Sequence, residues 1–200
     1  MKSLLTLILL SLATAATAQG LPALFDVTGV ASDDVLNVRE NPRASAPRLG
    51  GLAPDATGIE VVALSDSGDW GRINLGEGSG WVSMRYLAAQ PADRQTYFDT
   101  PLRCLGTEPF WLVSFDDGIA IFSAPGLPPT PFEITTTSPA IGSGLYAQLA
   151  AGEELTAVVK RAECSDGMSD RSYGLSGDII LTEDGEQRLL TGCCTLAPPG

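Results

Sequence analysis

The stretch WLVSFDDGIAIF, Trp111 to Phe122, decides the fold class. Two short runs rich in aliphatic and aromatic residues flank Asp116-Asp117-Gly118, a turn sequence that tolerates left-handed backbone, so the stretch predicts a β-hairpin. Similar runs follow: PFEITTT, ELTAVVKRAE, SYGLSGDIIL and, after the TEDGE turn, QRLLTGCCTL. None shows a convincing helical period; Leu145 to Ala151 is the one ambiguous piece. The class is all-β, with this half an antiparallel meander closed as a barrel or folded as a sandwich. PGLPPTP, Pro125 to Pro131, is expected to be an exposed loop, because proline cannot donate to a strand ladder.

Upstream, shorter strands are spaced more closely. VTGVA, VLNVRE, GIEVVAL, WGRINL and GWVS lie between Phe25 and Leu87, and Asp33-Asp34, Asn41-Pro42, Ser67-Gly68 and Glu77-Gly78 fall near the breaks. This spacing predicts a small β-barrel. Residues 89–102 are polar, contain proline and lack either period, which reads as a linker. All four cysteines (Cys104, Cys164, Cys193 and Cys194) lie beyond it. The expected organisation is therefore a small barrel over 24–88, a linker over 89–102 and a disulfide-stapled β domain over 103–197.

The N-terminus indicates a compartment. Lys2 supplies a positive n-region, Leu4 to Leu12 an apolar h-region and Ala16-Thr17-Ala18 a cleavage signal, so residues 1–18 read as a signal peptide cut after Ala18. A periplasmic or secreted protein without a membrane anchor is expected, since no further run approaches the roughly twenty apolar residues a span requires. Of 12 basic residues Lys2 leaves with the peptide, so 11 remain against 24 acidic ones, a net charge of −13. Nucleic acid and anionic lipid would be repelled. Histidine is absent and Lys160 is the lysine that remains, so general acid or base work would fall mainly to carboxylates.

Within the first half, TGVASDDVLNVRENP, then SGDWGRI, then GSGWVSMRYL resemble the bacterial SH3-type domain. The resemblance implies a non-catalytic module that binds cell-wall peptides or a protein partner. Leu36, Val38, Val82 and Leu87 are expected in its core, with Trp81 packing the barrel. Trp70 and Tyr86, amphipathic rings with polar tips, and Asn37, whose amide both donates and accepts, are the candidates for a ligand groove. Arg39, Arg43, Arg48, Arg72 and Arg85 face more numerous acids, a charge that suits a protein partner, or the second domain, as well as the wall.

Adjacent residues of a strand point to opposite faces, so Cys193 and Cys194 should find different partners. Cys104 with Cys193 and Cys164 with Cys194 is the expected pairing, set narrowly ahead of the swap. Loops of about 30 and 90 residues closed in this way contribute roughly 3.5 to 4.5 kcal/mol each in the chain-entropy model. A thiolate zinc site lacks its usual ligand spacing, and no basic neighbour in sequence activates the vicinal pair.

RCLGTEPFW, Arg103 to Trp111, CSDGMSDRSYG, Cys164 to Gly174, and LTGCC, Leu190 to Cys194, are together similar to a family of bacterial envelope domains with the order G-x-EPFW, C-x-D-x-M-S, GC. That resemblance implies no catalytic residue. Phe110 and Trp111, an aromatic pair leading a strand, are expected in the core. Glu108, before a proline, has a restricted, extended backbone. Glu108, Asp166, Asp170 and Arg171 are the candidate ligand clamp. The structural alternative is a turn in which the Arg171 fork is held between carboxylates.

These residues point to a binding protein without cofactor or resident metal, its SH3-type module docking on a cell-wall peptide or an envelope protein. Two alternatives stand beside it: an envelope hydrolase using carboxylates of the second domain, and a purely structural interaction protein.

Overall fold

The computed structural model describes residues 20–91, 97–99, 101–141 and 144–196; the signal peptide expected over 1–18 lies outside them. Eight short strands build the first half: β1 (Ala23–Val27), β2 (Leu36–Arg39), β3 (Arg48–Leu52), β4 (Ile59–Val61), β5 (Ala63–Leu64), β6 (Trp70–Leu75), β7 (Gly78–Ser83) and β8 (Leu87–Ala89). They form a three-stranded sheet, β4-β1-β8, and a five-stranded sheet, β3-β2-β7-β6-β5. Both are antiparallel.

Alternation drives this assembly. Along β1, Ala23, Phe25 and Val27 are buried while Leu24 and Asp26 are half-buried. With Leu36, Val38, Val61, Ile73 and Val82 they make one core, each large aliphatic contributing about 1.5–3 kcal/mol by leaving water. Leu87 packs against that core from its edge. Trp81 does not enter it, contrary to expectation. Gly80 and Val82 take the inward parity of β7, so Trp81 turns outward, where the Arg72 guanidinium lies 5.9 Å from its ring centroid.

The second half is a single nine-stranded antiparallel sheet: β9 (Leu102–Thr107), β10 (Phe110–Asp116), β11 (Ile119–Ser123), β12 (Thr130–Glu133), β13 (Thr136–Ala140), β14 (Gly144–Ala151), β15 (Leu155–Cys164), β16 (Tyr173–Glu183) and β17 (Glu186–Thr195). Its order, β12-β11-β10-β9-β17-β16-β15-β14-β13, is a meander whose first and last strands pair. It is a curved, half-closed barrel and not a two-sheet sandwich. The two edges are β12 and β13, neighbours in sequence that do not pair with each other. Pro131 on β12 and Pro139 on β13 sit at those edges, as proline in a sheet must. Pro131 thus belongs to an edge strand, while Pro125 to Pro129 remain in the exposed loop. Leu145 to Ala151 resolves as strand β14.

The inner face carries Leu102, Trp111, Val113, Phe122, Val159, Leu175 and Ile179 in one cluster. Tyr97 and Phe98, within the segment read as a linker, are buried in that cluster too, and Phe98 meets Phe115 edge-on at 5.1 Å. The disulfides join Cys104 to Cys194 and Cys164 to Cys193, which reverses the expected pairing. Cys104 and Cys194 stand opposite each other in register on β9 and β17, both inside the core cluster. The strand alternation then turns Cys193 to the other face, where Cys164 at the end of β15 meets it at a Cα separation of 5.5 Å.

The two halves touch at several points. Buried Glu60 accepts hydrogen bonds from the Leu196 N–H, at 2.9 Å, and from the Thr195 hydroxyl. Arg161 donates to the Tyr97 hydroxyl at 2.6 Å and to the Gly20 carbonyl at 3.1 Å. Among the described residues no helix is long and apolar enough to cross a membrane. The two disulfides are compatible with an extracytoplasmic location.

Candidate functional site

Asn37, Trp70 and Tyr86, far apart in sequence, line one cleft of about 300 Å³ on the first half. Asn37 stands between buried Leu36 and Val38 on β2, so the pleat turns its amide outward. Trp70 opens β6 just after a tight turn closed by its own backbone. Ser65 N–H donates to the Trp70 carbonyl at 2.9 Å, Trp70 N–H donates to Ser65 Oγ at 3.3 Å, and Gly68 supplies the left-handed residue at φ 76°. Tyr86 ends a short 3₁₀ turn, Met84–Tyr86, and its carbonyl accepts from Thr28 N–H at 2.9 Å.

Charge in the cleft runs against that of the chain. Arg39 and Arg85 line it with Asp34, two guanidinium groups to one carboxylate. Arg85 lies 4.4 Å from the Tyr86 ring centroid and donates to the Tyr86 hydroxyl, a stacked arrangement that presents the ring and a cation together. Arg39 Nη1 donates to the Ala46 carbonyl at 2.9 Å, which fixes its side chain. An indole, a phenol, an amide and two guanidinium groups thus line one cavity.

The second candidate cluster does not assemble as a clamp between carboxylates. Asp166 organises its own turn: Oδ1 accepts from the N–H groups of Met168 and Ser169 at 3.0 and 2.9 Å, and Oδ2 accepts from the hydroxyls of Ser169 and Tyr173 at 2.7 and 3.2 Å. Burial pushes its carboxyl up, yet these donors outweigh burial and hold its pKa below the usual carboxylate range. Burial, with Asp166 facing it, pushes the Tyr173 phenol up against the opposing pull of Arg171.

Arg171 also reaches across to the first half. Its Nε donates to the Gly76 carbonyl at 2.7 Å and its Nη2 to Glu77 Oε1 at 3.1 Å. The β6–β7 turn exposes these acceptors because hairpin turns leave carbonyls outside the ladder. Asp170 contributes its backbone N–H, 2.9 Å from the Glu77 carbonyl, while its side chain is exposed. Glu108 is exposed as well and does not line the groove to which Asp166 belongs. Glu108, Asp166, Asp170 and Arg171 are therefore not brought around one point, and Arg171 is an inter-half contact.

Sequence reasoning missed the partners of this turn, Asn74, Gly76 and Glu77, and nothing local in CSDGMSDRSYG signals them. It also missed Phe110. Phe110 is half-exposed while Trp111 is buried, since successive residues of β10 face opposite sides.

Comparison with curated proteins and with solved structures found no match. Residues 34–88 match the family model of the bacterial SH3 domain, so this part of the chain carries a bacterial SH3 domain, which points to a protein-binding or cell-wall-binding module.

Proposed function

We propose that this is an extracytoplasmic binding protein whose SH3 module docks, through the cleft of Asn37, Trp70 and Tyr86, on a carboxylate-bearing peptide of the cell wall or of an envelope protein. The observation that carries the reading is the convergence of those three side chains with Arg39 and Arg85 on a single cavity. The chain as a whole is strongly acidic, so a locally cationic cleft lined by aromatic rings is a selective place for a carboxylate next to apolar surface. Half-buried aromatic rings beside an arginine are also the residue types on which binding energy concentrates.

Titration calorimetry with soluble wall peptides, alongside capture from an envelope extract, tests the reading and separates the two ligand sources. Trp70→Ala and Tyr86→Ala are expected to weaken the interaction by about tenfold or more while leaving the melting temperature of the second half unchanged. Binding that survives both substitutions would exclude the cleft.

A further inference from the structure

A second concavity, of about 520 Å³, lies where the two halves meet. Trp111, Leu105 and Leu112 give it an apolar lining, Pro125 closes one side, and Phe110 and Met168 line it as well. Phe110 and Met168 are 51% and 67% exposed. Phe110 comes from the EPFW motif and Met168 from the CSDGMSD turn, so two separate motifs deliver large apolar side chains to one open surface. Neither serves the core cluster of the second half. Apolar area of this kind, concentrated and rimmed by polar groups, marks an interaction surface, and a methionine thioether adapts its shape to an incoming side chain.

The rim has a sign. Glu77 and Asp166 are the charged residues that line the groove. Against these two carboxylates stands Arg171, already paired with Glu77. An anionic lipid headgroup or a second copy of this acidic chain, of net charge −12 over its full length, would meet repulsion there. A segment carrying cations would be attracted.

We propose that this groove is a second docking surface, distinct from the SH3 cleft, for a partner peptide that lays an apolar side chain on Phe110 and Met168 and sets a lysine or arginine against the surrounding carboxylates. The rigid floor suits that role. Trp111 is itself buried and held in place across β9 and β17 by close backbone, since a Cβ on Gly106 would fall 2.2 Å from its indole nitrogen.

The test uses the mature full-length protein and a fluorescein-labelled hexapeptide of alternating lysine and phenylalanine, read by anisotropy and by amide shifts in ¹⁵N spectra. Lysine–serine and glutamate–phenylalanine hexapeptides serve as controls. The expected result is binding of the lysine–phenylalanine peptide, weakened by salt, with shifts at Phe110 and Met168. Phe110→Ser with Met168→Ser should weaken it about tenfold. Leu127→Ser, an equally exposed position outside the groove, should not. Four outcomes would overturn the proposal: equal binding of the lysine–serine peptide, which is charge alone; equal binding of the glutamate–phenylalanine peptide; shifts confined to Asn37 and Tyr86; or a dimer that Phe110→Ser dissociates, which assigns the groove to a second copy.

Discussion

Asn74 and Ser172, 98 residues apart, exchange two hydrogen bonds of 2.9 Å, the Asn74 amide donating to the Ser172 carbonyl and the Ser172 N–H donating to Asn74 Oδ1. This pair ties β6 of the SH3 half to the start of β16. It explains why the polar turn Cys164–Gly174 sits where it does: its backbone is hydrogen-bonded to the β6–β7 hairpin, with Arg171 and Asp170 on the Gly76–Glu77 turn beside it.

Asn74→Ala should therefore cost more than Glu77→Ala. The first leaves a half-buried N–H and carbonyl of Ser172 without their partner, a loss of about 1–3 kcal/mol. The second removes an ion pair whose Glu77 side chain is 85% exposed, worth about 0–1 kcal/mol. Denaturant unfolding of both variants checks the order, and a larger loss for Glu77→Ala would contradict it. Arg171→Ala sets no two carboxylates against each other, so the loss of about 3–5 kcal/mol that follows breaking a buried pair is not expected.

Stability should fall with acid through Asp166 and Asp178. Both carboxyls are held below the usual carboxylate range. Burial opposes the shift in each case; the Ser169 and Met168 donors overcome it at Asp166, and Lys160 with Thr191 at Asp178. A depressed folded-state pKa means the contribution is fully present above the unfolded value and is lost as pH drops from there through the folded value. Melting curves between pH 6 and pH 2 should show less acid sensitivity in Asp166→Asn with Asp178→Asn than in the parent. An unchanged pH profile would remove both groups from the account.

Thiol counting distinguishes the disulfide pairings. Replacing Cys104 and Cys194 together by serine should leave no reactive thiol in the denatured, unreduced protein, whereas replacing Cys104 and Cys193 together should leave two. The bridges close sequence separations of 90 and 29, so the chain-entropy model assigns losses of about 4.6 and 3.6 kcal/mol to their removal. The Cys104–Cys194 pair is expected to be the more destabilising to lose, as equilibrium unfolding will show.

Gly192→Ala should be poorly tolerated. An added Cβ would stand 2.0 Å from the Leu105 carbonyl oxygen and 3.0 Å from the Trp111 ring, so β17 would have to move away from β9. Overpacking of this kind costs about 1–3 kcal/mol or more. Gly126→Ala meets nothing within 4 Å and carries only the penalty of its left-handed backbone, about 1 kcal/mol. Circular dichroism melts of the two variants compare them directly, and equal melting points would refute the close approach at Gly192.

Much of this molecule was legible along the chain because strands and turns are local chemistry. The Asp116-Asp117-Gly118 turn places Asp117 and Gly118 at positive φ, as hairpin turns require, and the period-2 alternation of β1, β15 and β16 separates buried from outward residues without knowledge of what they pack against. Asn37, Trp70 and Tyr86 could be singled out by side-chain chemistry within a short segment whose own motifs resemble the SH3 domain.

What required the tertiary structure is everything that depends on two distant segments meeting. Alternation says that Cys193 and Cys194 diverge, but which thiol faces Cys104 depends on the register of β17 against β9, and a shift of one residue would reverse it. Alternation likewise cannot say that Trp111 lies over Gly106 and Gly192 while Phe110 is left in the open. The Cys164–Gly174 turn carries its own acids and arginine, so a local reading satisfies them among themselves. In the fold Asp166 is taken by backbone donors and Arg171 reaches acceptors more than ninety residues away. Sequence alone determined periodicity and turn chemistry, which act over a few residues; register, disulfide partners and the contact between the halves were decided only when the strands closed, because those energies exist only between surfaces the chain brings together.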